Sequence, residues 1–327
     1  MTERENYLMT MAGKQPEWVP NFEDACDMII PALLGAHLMT EEKRDFFSVP
    51  WTINDAGPMV DNHQPPVMED VTEWKKYVHF PDLDQFDWEN TSRAQLEAHD
   101  PDKALMVMPN MGGGTIFMPL LNMMGFENAL CALLEEPEAC MDFFNCVTEF
   151  YEACIPYFVK YYHPDAIIVG DDLCTASSAF VSMDYYKRVL KPFYQREIDA
   201  VHQCKVLAEL HMCGKCEPFV EDFVEMGVTS WQPAQGINDL AGLKKKYGNR
   251  LVMNGTWTTS SPAWRPGAPE ELVRGEVRKC IDQFAVGGGM MFWTGGQVGT
   301  SENQIQLSRW ADDEVRKYGR EFYRKEQ

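Results

Sequence analysis

The chain has 327 residues, 45% hydrophobic and 12% aromatic, which is too apolar for disorder and enough for one large core or two modest ones. Its formal charge is -21, from 29 basic and 50 acidic residues. Such a surface repels nucleic acid and anionic membranes, so neither is an expected partner. The ten cysteines are scattered along the chain, whereas disulfide scaffolds are small and cysteine-dense; reduced cytoplasm is the expected compartment, and an anaerobic host suits so many thiols. The opening MTERENYLMTM is charged too early for a signal peptide, and no apolar run approaches the ~18 residues of a membrane span.

The first hundred residues are the least regular. A short helix is predicted over 3–12, stopped by Pro16 and Pro20, and another over 22–36, with Pro31 interrupting it or beginning a turn. Residues 50–70 carry four prolines and read as a long ordered loop or small hairpin at a pocket rim. From 104 the pattern changes. A short apolar run (ALMVMPN) precedes helices near 116–125, 126–133 and 137–161. Strands are then predicted at 165–172, 205–213, 228–233, 250–257 and 289–296. Helices near 184–202, 217–226, 237–248, 269–289 and 302–323 separate or follow them.

Short apolar strands alternating with helices read as βα repetition, with strands buried on both faces. A doubly wound sheet and a closed barrel both satisfy the pattern. Length favours a single (β/α)8 TIM barrel spanning 1–327, with an irregular N-terminal part over 1–100 that contributes to the barrel mouth. No GxGxxG or GxxxxGK[ST] motif occurs, and Gly112-Gly113-Gly114 lacks phosphate-cradle spacing, so a nucleotide is not supported.

The most chemical stretch is His211-Met212-Cys213-Gly214-Lys215-Cys216, which closes the run KVLAELHMCGKC. Imidazole and thiolate are the donors zinc prefers, and three local ligands leave a position for substrate. Strand alternation puts Leu207, Glu209, His211 and Cys213 on one face and Val206, Ala208, Leu210 and Met212 on the other. His211, Cys213 and Cys216 are the candidate metal ligands, with Glu209 orienting His211 or serving as a ligand itself. The alternative is that these groups merely pack. Asp171 and Asp172 follow the strand DAIIVG; one of them would face the pocket as proton donor or substrate anchor, or the pair is a cap and turn. His63, Asn110, Gln232 and Asn254 are candidate pocket-wall residues, and Trp231, Trp257 and Trp293 would suit an aromatic ring if they converge.

The chain resembles the uroporphyrinogen decarboxylase superfamily, and its corrinoid-linked methyltransferase branch in particular. The resemblance rests on TEREN…GKQPEWVP, GGG…MPLLNMMGFENALCALLEEPE, DAIIVGDD, LHMCGKCEPFVEDFVEMGV, the Asn254-Gly255 turn, GAPEELV and AVGGGMMFWTGG…SENQ. It implies a (β/α)8 barrel. Decarboxylases of the family hold porphyrinogen carboxylates with N-terminal arginines; where Asp-Arg-Val-Pro is usual, this chain has Glu17-Trp18-Val19-Pro20. The Asp usually found after the turn near 255 is also missing, with Trp257 nearby. The methyltransferase branch binds zinc through an HxCG segment, which His211 and Cys213 match. Its late cysteine is absent here, where Phe292-Trp293-Thr294-Gly295-Gly296 stands instead, so Cys216, Glu23 or Glu209 would complete the site.

The resemblance therefore implies Zn2+ and methyl transfer between a small methoxylated molecule, aromatic or not, and a corrinoid (cobalamin) carried by a small partner protein. A metal-free decarboxylase or lyase acting on a substrate other than uroporphyrinogen is the alternative. A non-catalytic corrinoid- or tetrapyrrole-binding protein is the third.

Overall fold

A computed structural model describes residues 1–325 apart from 36, 37, 39, 55, 56, 110–113, 259 and 295–301. Strand β1 (Cys26–Ile29) is followed by a hairpin of β2 (Trp51–Asn54) and β3 (Gly57–Val60). Then come β4 (Ala104–Val107), β5 (Ala166–Gly170), β6 (Leu207–His211), β7 (Ser230–Ala234), β8 (Val252–Thr256) and β9 (Met290–Trp293). Apart from the hairpin, these strands form one parallel sheet in chain order. The sheet curls until β9 meets the segment before β1. Phe292 N–H donates to Pro20 O at 2.8 Å, and Asn21 bridges Phe292 in parallel. One bridge thus stands where an eighth ladder would, and the fold is an incomplete (β/α)8 barrel with extra N-terminal elements.

Burial on both faces explains why these strands lack polar alternation: every residue of β4 and β5 is buried. Alternation instead sorts two cores. Leu105, Val107, Ile167, Val169, Ala208, Leu210, Met253 and Phe292 point outward into the large core shared with the helices. Cys26, Ala104, Met106, Ala166, Ile168, Val252, Met291 and Trp293 form a smaller core inside the barrel.

The predicted helix over 22–36 is not there. The segment forms one helical turn (Phe22–Ala25), then β1, then a short helix (Ala32–Gly35). Parallel pairing of Cys26–Ile29 with Ala104–Val107 outweighs local helix propensity, and Pro31 stops any helix from running through. Trp51–Asn54 and Gly57–Val60 do pair as the two strands of a hairpin.

The helix Glu3–Met11 covers the N-terminal end of the barrel. It begins with a reciprocal cap between Thr2 and Glu5. Arg4 clamps Asp165, just before β5, through two bonds of 2.9 and 2.7 Å, and its N–H reaches Asp102 O, just before β4. Among the described residues no single helix is long and apolar enough to cross a membrane.

Candidate metal centre

Strand register builds the site. Gly170 of β5 lies opposite His211 of β6, and His211 opposite Gln232 of β7. A side chain on Gly170 would collide with His211 backbone, since a Cβ there would stand 2.1 Å from His211 O, and its φ of +137° also suits glycine. This close approach sets Asp172, just past β5, beside the end of β6. Asp172 Oδ1 accepts the Cys213 backbone N–H at 2.8 Å and lies 4.0 Å from His211 Nε2. Cys213 Sγ is 3.6 Å from the same nitrogen. Donor atoms of Asp172, His211 and Cys213 all fall within 4.8 Å of one another.

These three donors could together hold a metal ion. Two ligands at ordinary Zn–N and Zn–S bond lengths on a tetrahedral ion sit about 3.6 Å apart, the separation observed between His211 Nε2 and Cys213 Sγ. Burial, followed by the nearby Asp172 charge, pushes the Cys213 thiol well above its usual range. A cation held at these atoms would counter both effects.

His211 is itself held from behind. Its Nδ1 faces Gln232 Oε1 at 3.5 Å, Gln232 Nε2 donates to Glu209 Oε2 at 3.1 Å, and Tyr7 OH donates to Glu209 Oε1 at 2.8 Å. Burial pushes Glu209 up to about 6, against the pull of Tyr7 and Gln232. Ser230 and Asn254 face the same carboxylate, but neither completes a hydrogen bond of normal geometry.

The other sequence candidates are dispersed. Cys216 is buried and its thiol donates to the carbonyls of Met212 (3.3 Å) and Cys213 (3.0 Å), so Asp172 and not Cys216 stands with His211 and Cys213. Glu23 accepts Trp293 Nε1–H at 3.1 Å, away from the cluster. Trp293 lies inside the barrel, stacked on Phe22. Trp231 and Trp257 belong to the outer core, against Phe223 and against Trp264 and Phe292 respectively. The tryptophans do not converge. His63 is exposed on the turn after the hairpin. Asn110 lies outside the described residues.

Asp171 takes a different part from its neighbour. It is 1% exposed, while the Asp172 side chain is 40% exposed. Its carboxylate accepts the N–H groups of Ile116, Phe117 and Met118 at 2.8–2.9 Å and the Tyr194 hydroxyl at 3.0 Å. It therefore caps the helix Phe117–Met124, whose own preceding residue offers no side-chain cap. Burial pushes Asp171 up to about 7 against those donors. Gly114 packs against this carboxylate so closely that a Cβ would stand 1.6 Å from Oδ1. A cavity of ≈ 30 Å³, water-sized, lies between Gly114, Met108, Met118, Ile168, Asp172 and His211. None of its described lining residues is Lys or Arg.

Sequence alone gives Tyr7 and Tyr194 no role and reads Gly114 only as part of a glycine run, because each acts through a partner distant in the chain; Tyr7 and Glu209 are 202 positions apart.

The barrel matches a solved methyltransferase from Methanosarcina mazei with a TM-score of 0.64 at 15% identity, over 96% of this chain and 99% of that one. At that identity the likeness speaks to fold. No curated protein sequence matches the chain. The family model described as uroporphyrinogen decarboxylase matches residues 52–303, well over half the length. The chain belongs to the uroporphyrinogen decarboxylase family.

Proposed function

We propose that this chain is a metal-dependent enzyme whose reaction centre is the Asp172–His211–Cys213 cluster, and that it transfers a methyl group between a small methoxylated molecule and a corrinoid on a separate protein. The observation that carries this reading is the 3.6 Å placement of His211 Nε2 beside Cys213 Sγ, with Asp172 completing the set. Asp172 would take the third place that an HxCG methyltransferase gives to a late cysteine. Zinc bound there would act as a Lewis acid on the ether oxygen of the methyl donor.

The chain's own groups prepare that step. Gln232 orients the imidazole so that Nε2 faces the cluster. The Cys213 N–H fixes Asp172. Met108, Met118 and Ile168 give the adjoining cavity an apolar wall that suits a methyl group. Among its described residues that lining offers no Lys or Arg for a polycarboxylated tetrapyrrole, which argues against uroporphyrinogen itself. The test is methylation of a cob(I)alamin protein across a panel of methoxylated arenes. Turnover that disappears in the His211→Ala/Cys213→Ala double variant is expected; turnover that survives it contradicts the proposal.

The family match favours a second reading, a metal-free decarboxylase or lyase on a less anionic substrate. Asp172 would then be the acid that meets substrate, since Asp171 is already committed to a helix terminus. Substrate-dependent CO2 release, undiminished by chelator and by the double variant, would select this reading over the first.

A further inference from the structure

The helix Glu3–Met11 lies outside the residues matched by the family model, yet one of its side chains reaches the interior of the barrel. Tyr7 is fully buried and its hydroxyl donates to Glu209 Oε1 at 2.8 Å. The other oxygen of Glu209 takes Gln232 Nε2–H, and Gln232 Oε1 meets His211 Nδ1. From the closed end of the barrel to the candidate metal ligand there is thus a line of four side chains, Tyr7, Glu209, Gln232 and His211. Each link restricts the next: a carboxylate bonded at both oxygens cannot rotate, so the Gln232 amide keeps its oxygen toward the ring, and Nε2 is left to face Cys213 and Asp172.

The start of the line is anchored. Arg4 holds Asp165, and the Asn6 side chain takes the Glu17 N–H and donates to Trp18 O, so the helix that carries Tyr7 is fixed on both flanks. We infer that Tyr7 is a positioning residue for the metal centre, setting the orientation of His211 from the opposite end of the barrel. This inference rests on the metal reading above.

The experiment titrates Co2+ into the full chain and its Tyr7→Phe and Tyr323→Phe variants, following affinity and the cobalt d–d absorption. Both variants keep the ring and lose a buried hydroxyl's hydrogen bond; that of Tyr323, 2.7 Å to Ala285 O, lies off the line. Tyr7→Phe is expected to weaken Co2+ binding about tenfold, the lower end of the effect of outer-sphere partners, and to shift the d–d band, while Tyr323→Phe changes neither. Tyr7→Phe with the affinity and spectrum of the unmodified chain would overturn the inference, as would equal losses in both variants. An unmodified chain that takes up no Co2+ would overturn the metal reading and the role of Tyr7 with it.

Discussion

The two halves of the barrel interior are built from different chemistry. Strands β6, β7 and β8 turn Glu209, His211, Ser230, Gln232 and Asn254 inward, with Val252 the apolar exception, whereas β9, β1, β4 and β5 contribute Met291, Trp293, Cys26, Ala104, Met106, Ala166 and Ile168. The apolar half is a packed core and its value is stability. The polar half is costly to bury and holds its groups by pairing them, with Ser230 and Asn254 left incompletely bonded. The candidate metal centre stands where the two meet, at the C-terminal ends of β5 and β6. A barrel can tolerate such a polar wall because the other half supplies the apolar burial.

Substitution on each wall separates these roles. Met106→Ala should cost the most stability, about 2–4 kcal/mol by urea unfolding, because a buried methionine leaves a cavity, and metal affinity should be unchanged. Gln232→Ala should cost about 1–3 kcal/mol by stranding Glu209 and weaken metal binding about tenfold or more through His211. Equal metal loss in both variants would erase the distinction between the walls.

The pH dependence of stability sharpens it further. Glu209 is pushed up to about 6 and Asp171 to about 7 in the folded chain, both by burial, against about 4 when unfolded. The folded state then holds these protons more tightly than the unfolded one. Their stabilising contribution is fully present below about pH 4 and is lost as pH rises through about 7. The urea midpoint should fall between pH 5 and pH 8, and Glu209→Gln should flatten the lower part of that slope. A midpoint that climbs over this range would mean that the carboxylates are ionised without strain. The smallest effect belongs to Cys216→Ala, which removes a thiol bonded to two carbonyls; metal content should be unaltered.

Much of the barrel was readable from the sequence because buried parallel strands announce themselves as short apolar runs. Period-two alternation placed Glu209, His211 and Cys213 on one face, and Glu209 and His211 do join one hydrogen-bonded line. Applied to β7, the same rule separates Gln232 from Trp231, which packs outward. What alternation cannot supply is register between strands. The pairing of Gly170 with His211 decides that Asp172 joins the cluster, and no local pattern encodes it. Asp171 and Asp172 are chemically identical neighbours. Only the position of Ile116, Phe117 and Met118, more than fifty residues earlier, tells which is a helix cap.

The most direct measurement is the zinc content of anaerobically purified protein beside His211→Ala, Cys213→Ala, Asp172→Ala and Cys216→Ala variants. About one zinc per chain is expected for a single three-ligand site, retained in Cys216→Ala and lost from the other three. Zinc absent from the unmodified chain, or lost from Cys216→Ala and kept in Asp172→Ala, would contradict a metal centre built from Asp172, His211 and Cys213.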